Sequence, residues 1–305
     1  MQVPAQFQYE KATSVEHAIA LLGRYGPESR VVAGGHSLIP MMKLRLAQPE
    51  ALIDINDLTE LARISVEEHD LCIGALVRHA DLLASAVVGE HFPIFHDAER
   101  VIADPVVRNR GTVGGSLCQA DPSEDLAAAF AAVRADAVIH GPGGRRVVPV
   151  REFFAGPYQT VVQPDELLVQ LRVPIRSSAS AYRKVERRAG DWAVASVGAV
   201  LRMRDELVDE VGIGLTALGA PGFHAPEAEE FLLGGPATDD RLAEAGRIVA
   251  EHCNPIADQR GPVDYKRHLA ATLTTRALRT AKTRWHGRHN ASGASGASGA
   301  SDEEA

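Results

Sequence analysis

Val31-Val32-Ala33-Gly34-Gly35-His36-Ser37-Leu38 and Arg110-Gly111-Thr112-Val113-Gly114-Gly115-Ser116 are the two stretches on which the reading of this chain turns. Each sets paired glycines beside hydroxyl residues at the edge of an expected strand. Paired glycines accept positive φ and carry no Cβ, so several backbone N–H groups can converge on one anion unobstructed. A non-glycine residue in that conformation costs about 1–2 kcal/mol. Ser37, Thr112 and Ser116 can add hydroxyl donors to phosphate oxygens. One such loop is usually just a tight turn. Two, distant in sequence, predict a single ligand with an extended phosphate moiety, clamped from both sides. No GxGxxG follows the first strand, and the chain lacks GxxxxGK[ST], HExxH and GxSxG.

Working outward, Thr13 and Glu16 have capping-box spacing ahead of an apolar face of Val15, Ala18, Ile19 and Leu22. Strands are predicted at 30–33, 51–55 and 71–73, and helices at 79–88, 92–102 and 123–133. A hairpin is expected over 137–150, turning at Gly141-Pro142-Gly143-Gly144. A strand over 167–173 precedes a linker at Ser177-Ser178-Ala179-Ser180. Beyond it come strands at 182–186, 193–201 and 210–218 and helices at 239–252 and 263–285. Strands outnumber clean βαβ alternations, so the class expected is α+β. Residues 291–299 repeat Ala-Ser-Gly three times before an acidic end, so 289–305 reads as a disordered tail.

The 305 residues suffice for two domains, and a formal net charge of −8 disfavours nucleic acid and anionic membrane surfaces as partners. Met1–Glu10 lacks the basic start and apolar run of a signal peptide, and no apolar run of about 18 residues predicts a membrane span. A cytoplasmic location is expected. Cys72, Cys118 and Cys253 are scattered, which excludes a zinc or iron–sulfur motif within this chain and suits small buried hydrophobes in a reducing compartment. Any redox metal would come from another subunit.

The long segments Ala33–Ala47 and Ile102–Ser116, with Ala120-Asp121-Pro122, Asp125, Arg187-Arg188 and Gly190-Asp191, resemble the FAD-binding medium subunits of the xanthine dehydrogenase/carbon monoxide dehydrogenase family of molybdenum hydroxylases. The resemblance spans residues 1 to about 285. It implies a two-part FAD-binding domain of the vanillyl-alcohol-oxidase type over 1–176, with subdomains of about 1–57 and 58–176. A small α+β C-terminal domain over 180–288 would follow. It also implies FAD in this chain, molybdopterin cytosine dinucleotide with molybdenum on a large partner, and [2Fe–2S] clusters on a small one, in a dimer of heterotrimers. Electrons would arrive from the iron–sulfur partner and leave to a quinone or similar acceptor. The complex could sit peripherally at the inner face of the membrane.

By the same resemblance, Val32, Ala33, Gly34, Gly35, His36, Ser37 and Leu38, and Ile102, Gly111, Thr112, Val113, Gly114, Gly115 and Ser116, would form the two FAD loops. Asp125 would bond a ribose hydroxyl, with helix capping as the plainer alternative. Lys184, or its neighbour Arg183, would lie near the flavin. Trp192 would stand beside the isoalloxazine, and Leu168 would line the flavin or adenine pocket. Each of these, and His36, also has an ordinary packing or surface role open to it. Arg78, His79, His91 and His96 match no metal or catalytic pattern and read as structural. Within the family, Gly34–Pro40 and Phe154–Pro174 look nearest to aerobic carbon monoxide dehydrogenase, with N-heterocycle or aldehyde oxidation as the alternative. Outside it, a stand-alone flavoenzyme lacks a catalytic cluster in 180–288, and a non-redox phosphate-binding assembly protein would hold no flavin.

Overall fold

The computed structural model describes residues 3–219 and 221–295. The chain opens with β1 (Gln8–Lys11), α1 (Val15–Tyr25), β2 (Ser29–Val32), α2 (Leu38–Lys43) and β3 (Ala51–Asp54). The three strands form a parallel sheet in the order β1-β3-β2, with the central β3 buried. Helix α1 lays Val15, Ala18, Ile19 and Leu22 on Ala51 and Ile53. Its cap is Ser14, whose side chain accepts from His17 N; the Thr13–Glu16 box does not form, because Thr13 is bonded instead to the His17 ring.

Next come β4 (Ile64–Glu67), β5 (Asp70–Gly74), α3 (His79–Ala84), α4 (Ala86–His91), α5 (Pro93–Glu99), α6 (Pro105–Arg108), α7 (Val113–Gln119) and α8 (Asp125–Ala132). The hairpin β6 (Asp136–Gly141) and β7 (Gly144–Pro149), α9 (Val150–Phe153), the pair β8 (Phe154–Gly156) and β9 (Gln159–Thr160), and β10 (Leu167–Pro174) follow. An antiparallel sheet in the order β4-β5-β10-β6-β7 backs the helices, and Phe95, Phe130 and Phe153 fill the core between them. The single helix expected over 79–88 is two. Ser85 is extended there, and its side chain caps α4 at Val88 N, the local competition that makes serine a helix breaker.

The last unit holds β11 (Ala179–Val185), β12 (Ala195–Arg204), β13 (Leu207–Thr216), α10 (Pro226–Leu232), α11 (Asp239–His252) and α12 (Val263–Ser295). Its three strands pair antiparallel in sequence order, and α11 and α12 pack on them. The expected linker is shorter than 177–180: Ala179 and Ser180 already pair with Leu201 and Val200, because both are buried. Helix α12 runs to Ser295, so 289–295 is helical rather than disordered; no proline interrupts the ladder there, and one glycine costs only about 1 kcal/mol. The rest of the expected tail, 296–305, lies outside the described residues.

Helix α8 joins the two halves. All eight of its residues are buried, and its alanines suit a backbone pressed against a sheet. A Cβ on Gly214 would run into the Ala128 carbonyl, and one on Gly212 into that of Ala132. The stretch Gly190–Trp192 is thereby carried to the helical unit, where Gly190, at φ +77°, meets the Ala103 carbonyl. Arg284 ties α12 back to Asp97 at 2.7 Å.

Candidate functional site

A cavity of about 1010 Å³ opens at the seam of these units, at the upper end of the usual range for ligand pockets. Its wall includes Val32, Ala33, Gly34, Gly35, His36, Ser37 and Leu38 from the first loop, and Gly111, Thr112, Gly114, Gly115 and Ser116 from the second. Ile102, Asp125, Leu168 and Trp192 also face it. Val113 and Lys184 do not. Val113 points into the core, and Lys184 lies behind Asp125.

The two loops touch. A Cβ on Gly34 would strike the Arg110 carbonyl and come within 2.8 Å of Gly111 Cα, so glycine is needed there for closeness. Gly35 is needed for conformation, at φ +78°. A polar brace spans the contact. Asn56 Nδ2 donates to the Ala33 carbonyl (2.8 Å), Arg78 Nη2 donates to Asn56 Oδ1 (2.8 Å), and Arg78 Nη1 donates to the Arg110 carbonyl.

In chemistry the loops differ. Among the described residues, the N–H groups of Gly34, Gly35, His36 and Ser37 have no internal acceptor, so they form an open set of donors. In the second loop Val113 N bonds the Val77 carbonyl (2.9 Å) and Gly114 N the Ala75 carbonyl (2.8 Å). Gly115 N bonds Thr112 Oγ1 (3.1 Å) and Ser116 N the Thr112 carbonyl (2.9 Å). The two loops are therefore unequal: a row of open donors from Gly34 to Ser37 rests on a loop whose N–H groups from Val113 to Ser116 are bonded internally, with Thr112 N alone of that loop's cavity-lining residues given no internal acceptor among the described residues. The N–H groups of Val113 and Gly114 anchor α7 to the extended segment after β5, and those of Gly115 and Ser116 close its first turn on Thr112.

Asp125 does not cap its helix. Glu124 does, accepting from Leu126 N (2.8 Å) and Ala127 N (2.7 Å), while Ser116 donates to it at 2.6 Å. Burial pushes the Glu124 carboxyl up to about 7, against those hydrogen bonds. Asp125 accepts from Tyr182 OH (2.6 Å) and Lys184 Nζ (2.9 Å); burial raises its carboxyl, opposed mainly by the Lys184 charge. Lys184 also donates to the Val101 carbonyl, and Arg183 turns away to Thr280. His36 is exposed, its ring beside the Gly34 carbonyl, and Trp192 is 45% exposed at the cavity rim.

The chain reading missed three features. His79, expected to be merely structural, lines the cavity and pairs through Nδ1 with the fully buried Glu99 at 2.9 Å. Burial alone would lower its pKa, but the Glu99 carboxylate more than reverses that and raises it. Arg78 and Asn56 brace the loops. Cys118, unlike buried Cys72 and Cys253, opens onto the cavity. Buried partners 20 or more residues apart leave no local signal in the sequence.

Open backbone donors, side-chain-free contact and a long cavity fit a nucleotide cofactor with a diphosphate bridge. That defines the class, a cofactor-binding α+β protein with its site at a domain seam. Residues 5–176 match the family described as "FAD binding domain in molybdopterin dehydrogenase", and residues 180–281 match "CO dehydrogenase flavoprotein C-terminal domain". The chain belongs to this family of FAD-binding flavoprotein subunits of molybdopterin-dependent oxidoreductases. It is 40% identical to the carbon monoxide dehydrogenase medium chain of Hydrogenophaga pseudoflava, over 92% of this chain and 99% of that one. With the glyceraldehyde dehydrogenase medium chain of Sulfolobus acidocaldarius it shares 35% identity, over 90% and 98%. The solved carbon monoxide dehydrogenase from Hydrogenophaga pseudoflava superposes with a TM-score of 0.89 at 42% identity, covering 92% of this chain and 99% of that chain. Quinoline 2-oxidoreductase from Pseudomonas putida 86 gives 0.87 at 30%, covering 93% and 99%. No helix among the described residues is long and apolar enough to cross a membrane.

Proposed function

We propose that this chain is the FAD subunit of a carbon monoxide-oxidising molybdenum hydroxylase. In that complex it receives electrons from a [2Fe–2S] subunit and delivers them to a quinone, in a dimer of heterotrimers with a large molybdopterin subunit. The observation that carries the flavin reading is the row of unpaired N–H groups from Gly34 to Ser37, seated against Arg110 and Gly111. Bound FAD supplies storage for two electrons between a one-electron donor and an external acceptor. Gly34, Gly35, His36 and Ser37 hold its diphosphate by backbone donation, with Thr112 and Ser116 facing them. Asp125, already ordered by Tyr182 and Lys184, accepts from a sugar hydroxyl. Leu168, Ile102 and Trp192 give apolar walls, and the Lys184 charge acts through Asp125. The similarity to two carbon monoxide dehydrogenase medium chains, at 40% and 37%, favours carbon monoxide over heterocycles and aldehydes. The division at 176–180, and the two parts of the FAD domain, belong to the same reading, as does a cytoplasmic site of action.

The native complex, purified from its host, is expected to release FAD on denaturation and to bleach its flavin absorbance under carbon monoxide. Colourless protein would refute the flavin assignment. Bleaching by an aldehyde or N-heterocycle but not by carbon monoxide would refute the substrate.

A further inference from the structure

Ser116 and Glu124 both face the cavity, and they are bonded to each other at 2.6 Å. A serine hydroxyl has one proton. While Glu124 is a carboxylate it can only accept, so Ser116 spends its proton on Glu124 and shows the cavity only lone pairs. A diphosphate then meets an acceptor backed by a negative charge, on the side where the N–H groups from Val113 to Ser116 are already committed. We propose, on the footing of the flavin reading above, that Glu124 is a proton-operated positioning residue for the diphosphate. A proton on Oε1 reverses the Ser116–Glu124 bond, and Ser116 then donates into the cavity.

The surroundings permit this. Glu124 is 4% exposed and fixed at both oxygens by Leu126 N and Ala127 N, so the carboxyl keeps its place whichever way the proton lies. Its carbonyl is held from β13 by Thr216 Oγ1 at 2.9 Å. Among the described residues, three charged or titratable groups act on it. Asp125 on α8 is engaged by Lys184, Tyr182 stands on β11, and His79 at the head of α3 is engaged by Glu99. Asp121, before α8, is turned to Ser123 N and the Tyr158 hydroxyl. Burial places the Glu124 proton near neutrality, and a bound diphosphate, being anionic, holds it further. Binding therefore takes up a proton from solvent. Affinity is greatest below the free-site value and falls as pH rises through it.

The full-length chain, stripped of cofactor, is titrated with FAD by calorimetry between pH 6 and 9, in buffers of unlike ionisation heat. Wild type is expected to take up nearly one proton per FAD at pH 8–9 and almost none at pH 6, where the free site already holds it, with Kd rising up to about tenfold per pH unit above neutrality. Glu124→Gln turns an amide donor towards Ser116 at the cost of the Leu126 N cap bond, and is expected to be less stable yet to bind with a flat pH profile and no uptake. Uptake-free binding by wild type at pH 8–9, or a wild-type profile in Glu124→Gln, would overturn the proposal. Should Glu124→Gln fail to fold, Ser116→Ala serves: it is expected to lose most of the low-pH advantage, and retention of that advantage would overturn the idea equally. Absence of FAD binding at every pH would instead overturn the flavin reading, a different result from binding indifferent to pH.

Discussion

The two glycine loops look alike in sequence and are unlike in the fold. The first leaves Gly34–Ser37 with unpaired N–H groups at a half-exposed turn; the second spends the N–H groups of Val113 to Ser116 on Val77, Ala75 and Thr112, with Thr112, Val113 and Gly114 buried. A Gly-Gly pair thus has two uses, one conformational and open to a ligand, the other spatial and internal. Substitutions behind or within the second loop are expected to destabilise the fold, whereas those in the first should empty the site with little loss of stability.

The largest effect is expected behind the second loop. Gly111 packs on the His79 ring, and a Cβ there would lie 2.8 Å from His79 Cδ2. His79 is in turn fixed by Glu99, which is wholly buried. Glu99→Ala strands His79 in a buried site, a change that costs about 3–5 kcal/mol. Urea unfolding should register it. The pH dependence carries the sign: with the His79 pKa raised in the folded state, its stabilisation is full below the ordinary histidine value of about 6.5. It is lost as pH rises through the higher folded value. Glu99→Ala should flatten that portion of the stability curve, and a curve unchanged in height and slope would remove the second loop from the core.

Gly114→Ala comes next. The added methyl would sit 2.6 Å from Ala75 Cβ and 2.8 Å from the Ala75 carbonyl, in a segment with nothing flexible to give way. Overpacking of this kind costs about 1–3 kcal/mol. Stability and FAD retention should fall together, since the α7 anchor and the cavity wall are one structure. Loss of retention with stability intact would show that the second loop is a direct cradle after all, as its sequence suggests.

The likeness of the two loops in sequence has a physical reason, and so has their difference in the fold. Hydroxyls beside glycines mark a backbone that bends closely, and both loops do so, which is why the site's location and 16 of the 18 residues expected at it line one cavity. The α+β class and the separate sheet after 178 were legible from strand spacing and the break at Pro174. The sequence does not say whether an N–H already has an acceptor, because Ala75 and Val77 lie 36 or more residues from their donors. The Asn56–Arg78 brace and the His79–Glu99 pair were hidden for the same reason. Lys184 was placed at the flavin by resemblance, yet its burial behind Asp125 follows from β11 pairing, which puts Tyr182 and Lys184 on the α8 side of the sheet.

The smallest change in stability, and the sharpest test of the contrast, is Gly35→Ala. At φ +78° an alanine carries about 1–2 kcal/mol of backbone strain. The nearest neighbour is the flexible side chain of Ile39, 3.1 Å from the added methyl, with Val32 at 3.8 Å. Strain at a solvent-facing turn can relax by local rotation without opening the core, so unfolding should shift by no more than about 1 kcal/mol. Rotation of that peptide would, however, swing the N–H groups of Gly35 and His36 off their common target. FAD should therefore wash from Gly35→Ala on gel filtration while its urea midpoint stays close to wild type. Equal damage to stability in Gly35→Ala and Gly114→Ala would erase the distinction between an open cradle and a committed support.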